Sequence, residues 1–314
     1  MKKILFVLLI MLFSINLHAE EVTFKTAEEK EKKLAETEAR YLKSINKYHM
    51  DGNIDAYYQL YDYMGKGYIK LSFDIILQIK NIESLKSERF ELSLHATDDM
   101  GFTFNKKFKF KKEEIYKTLE GDSIIVLNTS IEKGTYNEMN ISLTGNKGES
   151  ATVIIPQYQT MNLSDLLTKI TEPIFIYSLN QVRDERFYRR GMFVIPTIDK
   201  NYIKSKTVGF YFEYYHLKTD VLTEQGSYTM NYKLIHDLSD ILIYEDTVVK
   251  ESAPPNGNQQ VYLDLSTATP GIYRVEIIFT DMLSGKSFEM KEYFKIGKEA
   301  DKEKIDEISD STQE

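Results

Sequence analysis

The 314-residue chain contains no cysteine and no tryptophan. Without cysteine there is no disulfide, no thiolate nucleophile, no cysteine-ligated zinc and no lipid-modified cysteine. The fold must hold by burial alone, and the length suffices for two domains that each bury a core. The lack of tryptophan removes the strongest aromatic platform for sugars. Histidine is scarce: His18, His49, His95, His216 and His236 stand isolated, and none forms a His-Glu-x-x-His spacing. Gly-x-Ser-x-Gly and phosphate-cradling glycine loops are absent as well. The acids Asp98-Asp99, Asp184-Glu185 and Asp237 with Asp240 fall at expected turns, where Asp side chains bond nearby backbone donors. No catalytic residue, metal ligand or cofactor is therefore implied, and a hydrolase with converging acids is the remaining enzymatic alternative. The net charge of −8 disfavours nucleic acid as a partner.

What the chain does have begins with a targeting pattern. Lys2 and Lys3 precede the apolar run Ile4–Phe13, and Leu17 and Ala19 occupy −3 and −1 positions before Glu20. About ten apolar residues are short for a ~30 Å bilayer core, so residues 1–19 read as a cleaved signal peptide; the alternative is an uncleaved anchor. An exported protein, periplasmic or secreted, is expected. No long apolar run follows residue 19, so no transmembrane helix is expected in the mature chain.

Residues 20–64 read as a helical N-terminal segment. Residues 26–49 are expected to form a charged helix in which Ala27, Leu34, Ala35, Tyr41, Leu42 and Ile45 recur at helical spacing, and a turn at Asp51-Gly52-Asn53 leads to a second, Tyr-rich helix over Ile54–Met64. The expected arrangement is an amphipathic hairpin, packed on the first sandwich or exposed as a spacer. From Tyr68 the period changes to two. Strands are expected at 68–80, 87–97, 102–111, 122–131, 135–144 and 149–156, then at 162–169, 192–199, 207–217, 228–237, 240–251, 259–266, 271–281 and 287–296. Residues 170–191 read as a long excursion between the first two strands of the second set. Residues 298–314 read as a disordered acidic tail.

Ile124, Val126, Gly134 and Tyr136 match Val261, Leu263, Gly271 and Tyr273 at one common offset of 137 residues. One β-unit present twice is the simplest account. The fold class is mainly β: two tandem antiparallel immunoglobulin-like β-sandwiches, at 65–157 and 158–297, behind a short helical segment.

The segment 261–296, with Gly271, Tyr273, Asp281, Gly285 and Phe294, resembles the β-sandwich part of bacterial GWxTD-domain proteins. Leu163-Ser164-Asp165 and the strand carrying Tyr211, Glu213 and Tyr215 extend the resemblance over roughly residues 65–297. The Gly-Trp-x-Thr-Asp motif itself is missing, because the chain has no Trp. The resemblance implies an exported tandem-sandwich protein and transfers no site residue.

Two surface features stand out. Four of the seven arginines, Arg183, Arg186, Arg189 and Arg190, fall in the excursion. With Tyr211 and Tyr215 nearby they are candidate ligands for an anionic polysaccharide, a lipid head group or an acidic partner. The competing reading is internal pairing with Asp184, Glu185 and the acidic domain surface. The second feature is Lys106, Lys107, Lys109, Lys111 and Lys112 around Phe108 and Phe110. It reads as a lysine-guarded edge strand with its phenylalanines in the core, or as an anion site. The function expected is a non-enzymatic scaffold or interaction protein of the cell envelope, contacting a protein or a glycan. The alternative is a carbohydrate- or anion-binding module.

Overall fold

The computed structural model describes residues 26–64, 71–118, 120–162, 166–177, 185–190, 192–203 and 207–297. The expected leader, the acidic tail, Leu163-Ser164-Asp165 and Arg183 lie outside the described residues. Thr26 caps helix α1 (Ala27–Asn46), its hydroxyl accepting from the Glu29 N–H at 3.1 Å, with Glu28 and Glu29 in the favourable first turn. Thr37, Tyr41 and Ile45, four residues apart, form its buried stripe.

The first module uses β1 (His49–Gly52), β2 (Ala56–Met64), β3 (Leu71–Ile79), β4 (Arg89–Asp98), β5 (Thr103–Lys111), β6 (Ser123–Ile131), β7 (Thr135–Gly145) and β8 (Ser150–Ile155). One layer is β2-β3-β6 and the other β5-β4-β7-β8, all antiparallel. Strand β1 joins the layers, pairing with β2 through its first half and β8 through its second. Gly52 is required at that crossing, because a Cβ there would sit 2.1 Å from the Ser150 carbonyl oxygen.

The second module uses β9 (Ile174–Tyr177), β10 (Thr207–Tyr215), β11 (Gly226–His236), β12 (Ile241–Ala253), β13 (Gly257–Asp264), β14 (Gly271–Asp281) and β15 (Ser287–Ile296). Its layers, β9-β10-β13 and β12-β11-β14-β15, repeat the order of the first. This three-plus-four arrangement is a fibronectin type III-like sandwich. The matched tyrosines share a physical role. The Tyr136 hydroxyl donates to the Glu132 carbonyl at 3.0 Å and the Tyr273 hydroxyl to the Thr269 carbonyl at 2.6 Å, each four residues upstream. Both are tyrosine corners, which pin the chain where it crosses between layers.

Three expectations change. Ile54–Met64 is not a helix: residues 56–64 form β2, so the first module begins near residue 49 rather than 65. Tyr is a strand-favouring residue, and β2 buries side chains of both faces, which hides the two-residue alternation. The helix packs on the second module, not the first. Tyr41 and Ile45 meet Ile272 and Tyr293, while Arg40 and Arg274 both pair with buried Asp237 at 2.6 Å. The first full strand of the second module is Ile174–Tyr177, inside the expected excursion and preceded by a two-residue strand at Lys169–Ile170; of the expected 192–199 strand Met192–Phe193 pairs with Tyr188–Arg189 and Pro196 makes a single bridge to Ile176.

Candidate functional site at the module junction

Strands β3 and β10 are buried on both faces. Leu71, Phe73, Ile75, Leu77 and Ile79 fill the first core, and Val208, Phe210, Phe212 and Tyr214 the second. The opposite faces carry Asp74, Ile76 and Gln78 on β3, and Tyr211, Glu213 and Tyr215 on β10. They are buried because the modules share an interface: Tyr61, Ile76 and Ile124 of the first belong to the second module's core cluster.

Residues 185–200 carry the polar contacts. Buried Arg189 pairs with buried Asp74, which also accepts from Asn128 Nδ2 at 2.6 Å. The guanidinium carbon lies 4.6 Å from the Tyr61 ring centre and 5.2 Å from that of Tyr63, within cation–π range. Arg190 pairs with Glu213, which also accepts from the Tyr211 hydroxyl at 2.8 Å and from the Tyr215 hydroxyl. A second group lies along the same strand. Lys80 Nζ is 2.5 Å from both Asp122 and Asp199, Gln78 Nε2 donates to both carboxylates, and Tyr177 donates to Asp122 at 2.6 Å. The Gln78 carbonyl accepts from the Ile198 and Asp199 N–H groups.

The electrostatics follow from burial. Desolvation pushes the Asp74 carboxyl up, opposed by the Arg189 charge. Asp122 is raised by burial and by the neighbouring Asp199 charge, opposed by the Lys80 ammonium. Burial disfavours the Lys80 charge, yet the two carboxylates outweigh it and hold its pKa above the usual lysine value. Removing one member would strand a buried charge, which costs about 3–5 kcal/mol in comparable pairs.

The structure therefore divides the sequence candidates. Arg189, Tyr211 and Tyr215 are buried and engaged internally, so they form no surface platform. Arg190 is partly exposed but paired with Glu213, and Arg186 donates to the Glu114 carbonyl. For Arg189 and Arg190 the internal pairing uses Asp74 and Glu213 of facing strands. The polar signals were present in sequence: Asp74 and Gln78 interrupt LSFDIILQI, and Glu213 interrupts VGFYFEYY. The lysine strand β5 is an edge, with Phe110 buried and Lys107 and Lys109 beside Glu91. Among the described residues no group of three His, Asp or Glu side chains is arranged to hold a metal.

Two further features belong to the second module or to the junction. A cavity of about 370 Å³ opens between the modules, walled by Tyr48, Tyr58, Tyr61 and Tyr158 with Asp62 and Glu172. At one end of the second sandwich, fully buried Asp281 accepts from the Lys218 N–H, the Thr168 hydroxyl and the Leu283 and Ser284 N–H groups. It thereby ties together three segments that expose adjacent apolar pairs: Leu166-Leu167, Val221-Leu222 and Met282-Leu283. Val221 and Leu222 are each 92% exposed.

No protein-family model and no curated protein matches the chain. Solved structures with similar folds include the fibronectin(III)-like modules of Clostridium thermocellum CbhA, at 9% identity over 73% of this chain and 87% of that one, TM-score 0.19. A DUF3823 family protein from Bacteroides ovatus matches at 9% identity over 68% and 89%, TM-score 0.24. A calcium-binding mutant of Bacteroides uniformis beta-glucuronidase 2 matches at 11% over 79% of this chain and 28% of that one, TM-score 0.27. The chain is a tandem β-sandwich protein of fibronectin-like topology. Among the described residues no helix is long and apolar enough to cross a membrane.

Proposed function

We propose that this is an exported, non-enzymatic interaction protein of the cell envelope, a rigid two-module frame that presents one loop-bearing end to a protein partner. The observation that carries this reading is the set of three exposed apolar pairs anchored on Asp281. Large apolar side chains gathered at loop apices mark contact surfaces in soluble proteins. The shared core and buried ion pairs support it, since a fixed angle between modules holds that end in one orientation. The buried acids Asp74, Asp122, Glu213 and Asp281 all accept internal hydrogen bonds, which supports a structural rather than a catalytic role for them.

The test is site-specific photocrosslinking from position 222 in intact envelopes, with position 154 on the first module as control. One recurrent protein adduct, lost in the Met282→Asp/Leu283→Asp variant, is the expected result. Adducts only to glycan or lipid would favour the carbohydrate- or anion-binding alternative. Turnover of a defined substrate by the purified protein, abolished by a point substitution, would overturn the non-enzymatic reading.

A further inference from the structure

The junction cavity is built by both modules. Tyr58, Tyr61 and Asp62 come from β2, Tyr158 follows β8, Glu172 precedes β9, and Tyr48 follows α1. Its volume of about 370 Å³ suits a small organic molecule, and junctions between domains are frequent ligand sites. Charge sets it apart from the rest of the interface. Asp74, Asp122, Asp199 and Glu213 are each neutralised by an arginine or lysine. Among the described residues Asp62 and Glu172 form no ion pair with an arginine or lysine, although the Glu172 charge does act on Lys200. Asp62 accepts from the Met161 N–H at 2.5 Å and the Tyr158 hydroxyl at 3.3 Å, and Glu172 accepts a long bond of 3.4 Å from Tyr48.

The surrounding rings already attract cations. Lys47 Nζ lies 4.6 Å and Lys200 Nζ 5.7 Å from the Tyr48 ring centre, and Arg189 stacks on Tyr61. Lys200 is itself paired with Glu292. From two carboxylates outside any ion pair in a tyrosine-walled cavity, we infer that the junction binds a small organic ammonium ligand, a primary or quaternary amine. Asp62 and Glu172 supply the counter-charge and the tyrosine rings the apolar and π contacts. Burial raises the Asp62 carboxyl and the Glu172 charge adds to that, an imbalance that a bound cation reverses. A neutral sugar of the same size would leave both carboxylates without an ion pair. The inference goes beyond the interaction-protein reading, and the two tests fail independently.

The experiment is calorimetric titration of the full chain with choline and with glucosamine, using N-acetylglucosamine as the uncharged control. Saturable binding of a cationic probe is expected, with none for N-acetylglucosamine. Glu172 is exposed, so Glu172→Gln is expected to keep the melting temperature and weaken binding on the order of tenfold. Asp62→Asn should weaken it as well, with folding checked by circular dichroism. Absence of binding by both cationic probes, equal binding of N-acetylglucosamine, or unchanged affinity in Glu172→Gln overturns the inference.

Discussion

The two modules close equivalent loops with the same device and then dress them differently. In the first, Glu149 in the β7–β8 turn accepts from the Lys86 and Ser87 N–H groups of the β3–β4 loop, and Asn146 accepts from those of Glu88 and Arg89. In the second, Asp281 at the start of the β14–β15 turn accepts from the Lys218 N–H of the β10–β11 loop. A buried or half-buried acceptor thus joins the same two loops in both. The first module's loops expose Glu83, Lys86, Glu88 and Lys147, whereas the second's expose Val221, Leu222, Met282 and Leu283. Topology accounts for the anchoring carboxylate, and it does not account for the apolar side chains. On the proposed reading, that difference places the interaction surface at this end of the second module.

The largest expected effect treats both modules alike. Tyr41, Tyr48, Tyr61, Tyr158, Tyr177, Tyr202, Tyr211 and Tyr215 have hydroxyls pushed above the usual value of about 10 by burial. Each is neutral in the fold and ionises near pH 10 when unfolded. Their contribution is therefore complete below pH ~10 and falls as pH rises beyond it. With no tryptophan to overlap, tyrosinate absorbance should rise in one cooperative step with loss of circular dichroism. A gradual rise from a still-folded protein would contradict the burial described.

Arg189→Ala comes next and probes the coupling. It strands Asp74 between the modules and should cost about 3–5 kcal/mol in denaturant unfolding. The transition should also split in two, because the modules lose a shared contact while each keeps its own core. A single transition at unchanged midpoint would mean that the apolar interface alone joins them.

Smaller effects test the repeat itself. Tyr136→Phe and Tyr273→Phe each remove one corner hydrogen bond and should each cost about 1 kcal/mol. Matching losses would establish the two corners as equivalent; a loss in one module alone would break the parallel. Smallest in stability is the Val221→Asp/Leu222→Asp pair, expected within about 0.5 kcal/mol of the parent because both residues are exposed. Its effect should appear only in partner crosslinking.

The second-module strands Gly271–Asp281 and Ser287–Ile296 were legible to the residue, and most others to within two or three, because alternating apolar residues and Gly- or Asp-rich turns are local signals. The matched tyrosines were visible as a repeat, although their hydroxyl bonds were not. Glu149 and Asp281 read as ordinary turn acids, since nothing in sequence says which backbone donors a fold will bring to them. The cavity acids Asp62 and Glu172 gave no signal, lying 110 residues apart on different modules.

By itself, then, the sequence determined the strand pattern, the duplication, the helix over Ala27–Asn46 and the lysine-guarded edge. Each depends on contacts between residues close in the chain or on a period of two. Only the tertiary structure decided that Ile54–Met64 is largely strand, that α1 rests on the second module, and that Arg189 and Arg190 pair with acids across the junction. Those outcomes depend on partners far apart in sequence, Arg189 with Asp74 and Arg40 with Asp237. A buried charge takes whichever opposite charge the fold places within reach, and that placement is set when two sandwiches pack face to face.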